Sequence, residues 1–286
     1  MKIPATPEEI AAVMARLRLR LRLPDEGAPD LPGDAGPMPA LPSAGMGSGQ
    51  WVNASGRPAT EAGVLVYAHG GGFAHTEPRA ERLLASHLSR ATGRPVFAVD
   101  YRLAPAHPYP AALRDVLAVH ESLLAHGVPD IVLFGESAGG TLVLSALLAL
   151  KTAGKPLPRA VAVSPLTDLT LSGPSLDAND GLDLINRAVL ERVARQYLAG
   201  APPDRAPQSP LHGDPSGLPP LLLAAGSREV LLDDAKRFAE AAPDCVLDIY
   251  EGMPHAFHLA VLTGPPLPTT TTFLRRLADF THRRPI

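Results

Sequence analysis

The sequence predicts an α/β fold in which helices flank a mostly parallel sheet. From residue 63 onwards, short apolar runs bounded by glycine or proline alternate with longer helix-like segments, which is typical of parallel strands joined by crossover helices. The length of 286 residues is enough to bury one large core. A serine flanked by glycines also stands between a predicted strand and a predicted helix, a position where a side chain is held out above the sheet.

The strands are predicted from apolar runs short enough to lie buried in a sheet. They are expected at residues 64–68, 95–99, 131–134, 160–164, 220–225 and 246–250. Longer segments with helical composition, two of which start at a proline, predict the helices. They are expected at residues 78–92, 110–126, 137–153, 184–198, 235–242 and 269–282.

The N-terminal segment has a mixed pattern. Residues 7–19 begin like a helix, with Pro7 first and two glutamates in the first turn. From residue 16 to residue 23 arginine and leucine alternate, which leaves helix and strand both open there. Residues 24–49 are rich in proline and glycine and are expected to be irregular.

Residues 168–215 interrupt the alternation of strands and helices, with one predicted helix between proline-rich flanks. An insertion at this point lies at the carboxyl end of the sheet, where open α/β sheets bind ligands. We therefore expect this insertion and residues 1–50 to form a small helical cap. The cap would cover a site in the main domain, residues 51–286.

Composition and charge argue against several classes of function. A net charge of -3 gives no reason to expect nucleic acid or an anionic membrane as a partner. No apolar run approaches the ~20 residues that span a bilayer, and residues 1–10 lack the apolar core of a signal peptide. A cytoplasmic protein without a stable membrane anchor is expected. The single cysteine, Cys245, excludes an internal disulfide, and no cluster of His, Asp or Glu has metal-ligand spacing.

Residues 135–140 read Gly-Glu-Ser-Ala-Gly-Gly and form the most informative motif. The flanking glycines allow a turn too tight for side chains, which exposes the Ser137 hydroxyl at the start of the following helix. A serine hydroxyl is a weak nucleophile and needs a base within hydrogen-bond reach, itself oriented by an acid. His255 and the acidic cluster at residues 229–234 supply both, and the order serine, acid, histidine is that of an α/β-hydrolase.

A second motif, His-Gly-Gly-Gly at residues 69–72, follows the first strand of the alternating region. Consecutive glycines leave backbone N–H groups accessible to the negative charge that develops on a carbonyl oxygen. A phosphate-binding loop is the alternative for a glycine-rich turn, but the Gly-Lys-Ser/Thr ending that it requires is absent. The motif therefore indicates an oxyanion hole.

Four stretches together resemble the bacterial hormone-sensitive-lipase-like carboxylesterases. They are His-Gly-Gly-Gly-Phe at residues 69–73, Asp-Tyr-Arg-Leu-Ala-Pro at residues 100–105 with Pro-Ala at residues 110–111, the serine motif at residues 135–140, and Gly-Met-Pro-His at residues 252–255. The resemblance covers roughly residues 60–282. It implies the α/β-hydrolase fold, a helical cap, and hydrolysis of small to medium acyl esters without a cofactor or a metal.

The resemblance also assigns roles to individual residues. Ser137 is then the nucleophile and His255 the base. The backbone N–H groups of Gly71, Gly72 and Ala138 form the oxyanion hole.

Other residues near these motifs are expected to be structural. The resemblance implies that His69 organises the glycine loop and that Arg102 is ion-paired rather than catalytic. His258, three residues beyond His255, is expected to be a satisfied residue of the surface or cleft. His75, just past the glycines, is a candidate for the pocket entrance.

Two positions depart from the family's pattern. Glu136 stands where the family often has aspartate before the serine. Further on, the family commonly has Asp-Pro-Leu-x-Asp, whereas residues 227–234 read Ser-Arg-Glu-Val-Leu-Leu-Asp-Asp. Aligning Leu231 and Asp233 with the leucine and the second aspartate of that pattern puts Glu229 in the place of the triad acid. The alternative is that Glu229 is a solvated loop charge and that Asp233 or Asp234 is the acid.

The sequence thus predicts a serine carboxylester hydrolase that acts on small-molecule esters through an acyl-enzyme. The same acyl-enzyme can meet water or another nucleophile, so an acyltransferase, a lactonase or a tailoring hydrolase of secondary metabolism is an alternative. A non-catalytic receptor for a small ligand on the same fold is a further alternative, which the presence of both Ser137 and His255 disfavours. A homodimer is left open.

Overall fold

The computed structural model describes residues 1–18, 39–42 and 45–282. Its strands, in chain order, are β1 (Lys2–Ile3), β2 (Gly49–Val52), β3 (Val64–Ala68), β4 (Val96–Val99), β5 (Ile131–Glu136), β6 (Arg159–Val163), β7 (Leu221–Gly226) and β8 (Cys245–Tyr250). Its helices are α1 (Pro7–Arg18), α2 (Ala59–Ala62), α3 (Pro78–Thr92), α4 (Ala111–Ala125), α5 (Ala138–Thr152), α6 (Ser175–Ala178), α7 (Arg187–Leu198), α8 (Leu232–Ala241) and α9 (Pro268–His282). Short 3₁₀ helices lie at Pro210–His212 and Phe257–Leu262.

The strands of the described residues form one sheet in the order β1–β8–β7–β6–β5–β3–β4–β2. Every neighbouring pair is parallel except β2 with β4. Each residue of β3, β5, β6 and β7 is buried, as expected for central strands that helices cover on both faces. The predicted mostly parallel sheet flanked by helices is confirmed.

Side chains alternate between the two faces of the sheet and enter two separate apolar cores. Along β3, Val64 and Val66 join a core shared with α4, α5 and α8, whereas Leu65 and Tyr67 join a core shared with α3 and α9. Because these strands run parallel, the loops that follow them lie at the same edge of the sheet. That edge is where a site is expected in this architecture.

The predicted strands and helices are present, with ends that differ by up to three residues. The helix predicted from residue 184 begins instead at Arg187, because Asn186 has an extended backbone and its Oδ1 accepts the N–H of Val189 at 3.0 Å, as an N-cap does. The sequence did not predict β1 or β2. The arginine–leucine alternation beyond Arg18 and most of residues 24–49 lie outside the described residues.

The insertion at residues 168–215 carries α6, α7 and the first 3₁₀ helix. The Tyr197 ring of α7 stacks on Phe73 with centroids 3.8 Å apart, and both rings are buried. The Tyr197 carbonyl also accepts the N–H of Tyr109 at 2.7 Å. A Cβ added to Gly72 would lie 2.7 Å from Val193 Cγ2. The helix α7 therefore packs directly on the glycine loop at residues 69–72.

The helix α1 packs against the 3₁₀ helix Phe257–Leu262. Arg16 Nη1 donates to the Ala260 carbonyl at 3.0 Å and so ties the two elements together. The assignment of residues 1–50 to a cap stays a prediction. Among the described helices, none combines the length and the apolar character needed to cross a bilayer.

Candidate active site

The turn between β5 and α5 holds Ser137 in a sparsely populated backbone conformation. Its φ is 53° and its ψ is -120°, a combination that costs free energy in a non-glycine residue and persists only where the surroundings impose it. The Ser137 N–H donates to the Val163 carbonyl at 2.8 Å. A Cβ at Gly135 would collide with the Gly139 carbonyl, and one at Gly139 with that of Ala68. Both glycines are therefore required for the predicted tight turn.

The loop after β8 places His255 against this turn. His255 Nε2 lies 3.0 Å from Ser137 Oγ, within hydrogen-bond distance. Burial alone would lower the pKa of His255, but the nearby carboxyl groups of Glu229 and Asp183 outweigh it and raise the pKa above its ordinary value. The imidazole is therefore both in reach of the hydroxyl and suited to carry a proton.

The segment after β7 brings Glu229, rather than Asp233, beside the histidine. Glu229 is fully buried and its Oε2 lies 3.7 Å from His255 Nδ1, which is longer than a hydrogen bond. Burial raises the pKa of Glu229, and the adjacent imidazole opposes that shift. Asp233 Oδ2 instead accepts the N–H of Ser175 at 2.7 Å, and its Oδ1 lies 3.5 Å from Lys236 Nζ.

The glycine loop and the start of α5 supply backbone donors at the same place. Gly71, Gly72 and Ala138 all line the cavity beside Ser137. Within the described part of the chain, none of these three N–H groups donates a hydrogen bond to another protein atom. Both Gly71 and Gly72 have positive φ, at 98° and 62°, which only glycine adopts readily.

A buried network supports the glycine loop from beneath. Glu136 Oε1 accepts the N–H of Gly70 and the hydroxyl of Tyr67, both at 2.8 Å. Burial raises the pKa of Glu136 to about 8, so this carboxyl holds a proton at neutral pH. The His69 ring stacks on Tyr101 with centroids 4.1 Å apart, and its Nδ1 lies 2.7 Å from the Gly70 carbonyl. These contacts agree with the predicted role of His69 in organising the loop.

A cavity of ≈ 540 Å³ opens beside Ser137. Apolar side chains from the insertion line one side of it, namely Ile185, Val189, Leu190 and Val193. The mouth is formed by the exposed residues His75, Thr76, Glu77 and Arg192. His75 therefore lies at the entrance, as the sequence suggested, and no residue of α1 lines the cavity.

The structure tests two further predictions about single residues, and only one of them is confirmed. Arg102 is ion-paired, with its Nη2 3.0 Å from Asp115 Oδ1, which confirms the prediction. The expectation that His258 lies satisfied at the surface or cleft is wrong. His258 is buried next to Phe273, 5.3 Å between ring centroids, and neither ring nitrogen has a partner among the described residues. Burial lowers the pKa of His258 to about 3, so the ring is neutral.

Sequence reasoning missed two polar residues at the site. Ser164 Oγ accepts the N–H of Ala256 at 3.1 Å and so anchors the histidine loop. Its position directly after β6, at the carboxyl end of a parallel strand, is a signal that could have identified it. Asp183 of the insertion accepts the N–H of His255 at 2.7 Å, and no motif or spacing in the sequence points to it. Across the described residues, no group of three or more His, Cys, Asp or Glu side chains could hold a metal ion.

Comparisons with known proteins agree with this geometry. The profile of a family described as having the alpha/beta hydrolase fold matches residues 65–259. An acetyl-hydrolase of Streptomyces hygroscopicus is 42% identical over 225 residues, which are 77% of this chain and 74% of that protein. An esterase of Acinetobacter venetianus is 37% identical over 205 residues, 68% of each protein.

Solved structures resemble the chain over nearly its whole length. An esterase from the bacterial hormone-sensitive lipase family superposes with a TM-score of 0.80 at 32% identity, covering 97% of this chain and 98% of that one. The esterase EstE5, in a crystal soaked with p-nitrophenyl butyrate, gives a TM-score of 0.80 at 30% identity with the same coverage, 97% and 98%.

Proposed function

Because this chain belongs to the α/β-hydrolase family and is a serine carboxylester hydrolase of the bacterial hormone-sensitive-lipase-like type, we propose that Ser137, His255 and Glu229 are its catalytic triad. The observation that carries the proposal is the 3.0 Å contact between Ser137 Oγ and His255 Nε2. Glu229 is proposed as the acid because its carboxyl faces the other ring nitrogen, at 3.7 Å. In the substrate complex this distance is expected to shorten, as hydrogen bonds between catalytic groups often do.

In the acylation step, His255 Nε2 takes the Ser137 proton while Oγ attacks the ester carbonyl carbon. The carbonyl oxygen gains negative charge in the tetrahedral intermediate, and the N–H groups of Gly71, Gly72 and Ala138 are proposed to stabilise it. The protonated imidazole then gives its proton to the leaving alkoxide. The products of this step are the alcohol and a Ser137 ester.

Deacylation repeats these steps with water as the nucleophile in place of Ser137. His255 removes a proton from the water, whose oxygen attacks the acyl carbon, and the proton then passes to Ser137 Oγ as the acid departs. Glu229 holds the imidazole in the tautomer that keeps Nε2 free to accept a proton. Its negative charge also stabilises the imidazolium that forms in both steps.

We further propose that the substrates are esters of small to medium acyl groups and that the insertion at residues 168–215 is a cap over the cavity. The support is the ≈ 540 Å³ volume and the apolar wall that α7 contributes to it. The EstE5 crystal was soaked with p-nitrophenyl butyrate, an ester whose acyl group falls in this small to medium range. A homodimer and a cytoplasmic location stay predictions, which light scattering and cell fractionation would test.

Ser137→Ala is the direct test of the proposed nucleophile. It should lower kcat/KM for p-nitrophenyl butyrate on the order of 10³-fold or more and abolish covalent labelling by a fluorophosphonate, measured as a mass increase of the intact protein. Ser86→Ala is the matched control, since Ser86 is a buried serine on α3 whose hydroxyl has no partner among the described residues. Wild-type turnover in the Ser137→Ala enzyme would refute the triad.

A further inference from the structure

Asp183 lies in the insertion between α6 and α7, and its carboxylate joins two loops of the main domain. Its Oδ1 accepts the N–H of His255 at 2.7 Å, and its Oδ2 accepts the N–H of Val230 at 2.8 Å. Oδ1 also accepts the N–H of the next residue, Leu184, at 2.7 Å. Hydrogen bonds to an ionised acceptor are shorter and stronger than those between neutral groups.

The two bridged N–H groups are those of the proposed base and of the residue that follows the proposed acid. They belong to separate segments, one after β7 and one after β8. Val230 is buried and His255 is nearly so, so water has little access to either N–H group. The Glu229 and His255 side chains are 3.7 Å apart and do not themselves form a hydrogen bond. Their separation is therefore set by where the two backbones are held.

The other hydrogen bonds from the described part of the insertion to these two segments reach the acid segment alone. Asn179 Nδ2 donates to the Glu229 carbonyl at 2.8 Å, and Ser175 Oγ donates to the Val230 carbonyl at 2.7 Å. Within the described part of the insertion, Asp183 is the side chain that bonds to both the acid segment and the histidine segment. The two segments also contact each other directly, since Ser227 Oγ accepts the N–H of Gly252 at 2.8 Å.

We propose that Asp183 is a positioning residue for ester hydrolysis, which, together with the Ser227–Gly252 contact, fixes the separation of the segments that carry Glu229 and His255. This inference rests on the proposed triad and extends it. Through Asp183, the insertion that lines the substrate cavity also aligns the base with its acid. Reacting groups misplaced by about 1 Å can cost about 10²-fold in rate, so a bridge of this kind has a direct effect on turnover.

The charge of Asp183 adds a second effect on the base. The titratable groups that face His255 are Glu229, Asp183 and His258, and burial keeps the His258 ring neutral. Both carboxyl groups raise the pKa of His255, against the effect of burial. Removing the Asp183 charge should therefore lower the pKa of His255. Because the base must be neutral to act, the acid limb of the kcat/KM profile should then move to lower pH.

Asp183→Asn tests both effects. An amide offers a single oxygen acceptor, and its NH₂ group would face an N–H donor, so one of the two segments loses its partner. We expect kcat for p-nitrophenyl butyrate to fall roughly 10- to 100-fold, with the acid limb displaced to lower pH. Asp180→Asn is the matched control, because it removes a carboxylate of the same insertion that is exposed to solvent. That control should keep wild-type kcat and an unmoved acid limb.

An unchanged kcat and acid limb in Asp183→Asn would overturn the inference. A rise in KM alone would do so as well, since it would show that Asp183 only shapes the cavity. If the Asn variant does not fold, Asp183→Glu replaces it, because the charge is kept while the oxygens are displaced by one methylene. The expected result is a lower kcat with the acid limb in place, and a wild-type kcat would overturn the inference. Failure of Ser137→Ala to abolish turnover would instead refute the triad itself, whatever Asp183 does.

Discussion

Glu136→Gln isolates the free energy of keeping one carboxyl group buried beneath the glycine loop. Glu136 is buried and shares Oε1 between the Gly70 N–H and the Tyr67 hydroxyl. Gln keeps an oxygen acceptor at this place, so both hydrogen bonds survive. The amide differs from the carboxyl in that it never ionises.

The magnitude follows from the pKa of Glu136, which burial raises from 4.5 to about 8. The carboxyl thus stays protonated in the folded protein over a range where it is ionised in the unfolded chain. Its contribution to stability is present in full below pH 4.5 and is lost as the pH rises to about 8. Each pH unit in this window is worth about 1.4 kcal/mol, so the loss amounts to about 5 kcal/mol.

The assay is urea denaturation of wild type and variant at several values between pH 5 and about 9. Between pH 5 and pH 9 the Gln variant should gain about 4 kcal/mol of stability relative to the wild type, because the rest of the loss falls at or below pH 5. The pKa of Asp234 is raised to about 7 by burial, but Asp234 is present in both proteins and cancels in the comparison. A stability difference that stays constant with pH would show that Glu136 is ionised in the folded state and would refute the reasoning.

Two further predictions concern the reaction. Glu229→Gln should lower kcat/KM by a factor that can reach about 10⁴. Asp233→Asn should be much milder, because Asp233 lies at the start of α8 and its carboxylate bonds to the Ser175 N–H instead of to the histidine. An inactive Asp233→Asn enzyme together with an active Glu229→Gln enzyme would make Asp233 the acid. Butyrate-sized p-nitrophenyl esters should be turned over with higher kcat/KM than palmitate-sized ones, because the cavity holds ≈ 540 Å³; a clear preference for palmitate would contradict the proposed acyl range.

The central sheet could be predicted because its strands are buried on both faces. Runs such as Val64–Ala68 are wholly apolar and lie close to glycines, so composition and length identify them together. The two edge strands have no such signal. β1 has only two residues, and β2 follows a glycine-rich stretch and is fixed by pairing with β4 and by the contact of Trp51 with Phe97, 5.0 Å between ring centroids. Tertiary contacts, rather than local sequence, determine where these two edge strands form.

The residues of the site also differ in whether the sequence alone predicts them. Ser137 and His255 were predicted because each sits in a local motif whose backbone geometry a few neighbouring residues determine. Glu229 was predicted only by aligning residues 227–234 with a family pattern from which they differ. Asp183 could not be predicted, because its acceptor oxygens bond to backbone N–H groups, which every non-proline residue has and which leave no mark in the sequence. Along the chain it lies 47 residues from Val230 and 72 residues from His255.

The packing of α7 has a consequence for how substrate reaches the serine. The stacked rings of Phe73 and Tyr197 are buried in the larger apolar core, so this end of the helix cannot swing away without exposing them to water. Among the described residues that line the cavity, His75, Thr76, Glu77 and Arg192 are exposed, so we expect substrate to enter between them. We therefore expect the enzyme to act on dissolved monomers, without activation by adsorption to an oil droplet. Its rate should therefore follow ordinary saturation up to the solubility limit of the ester and level off beyond it.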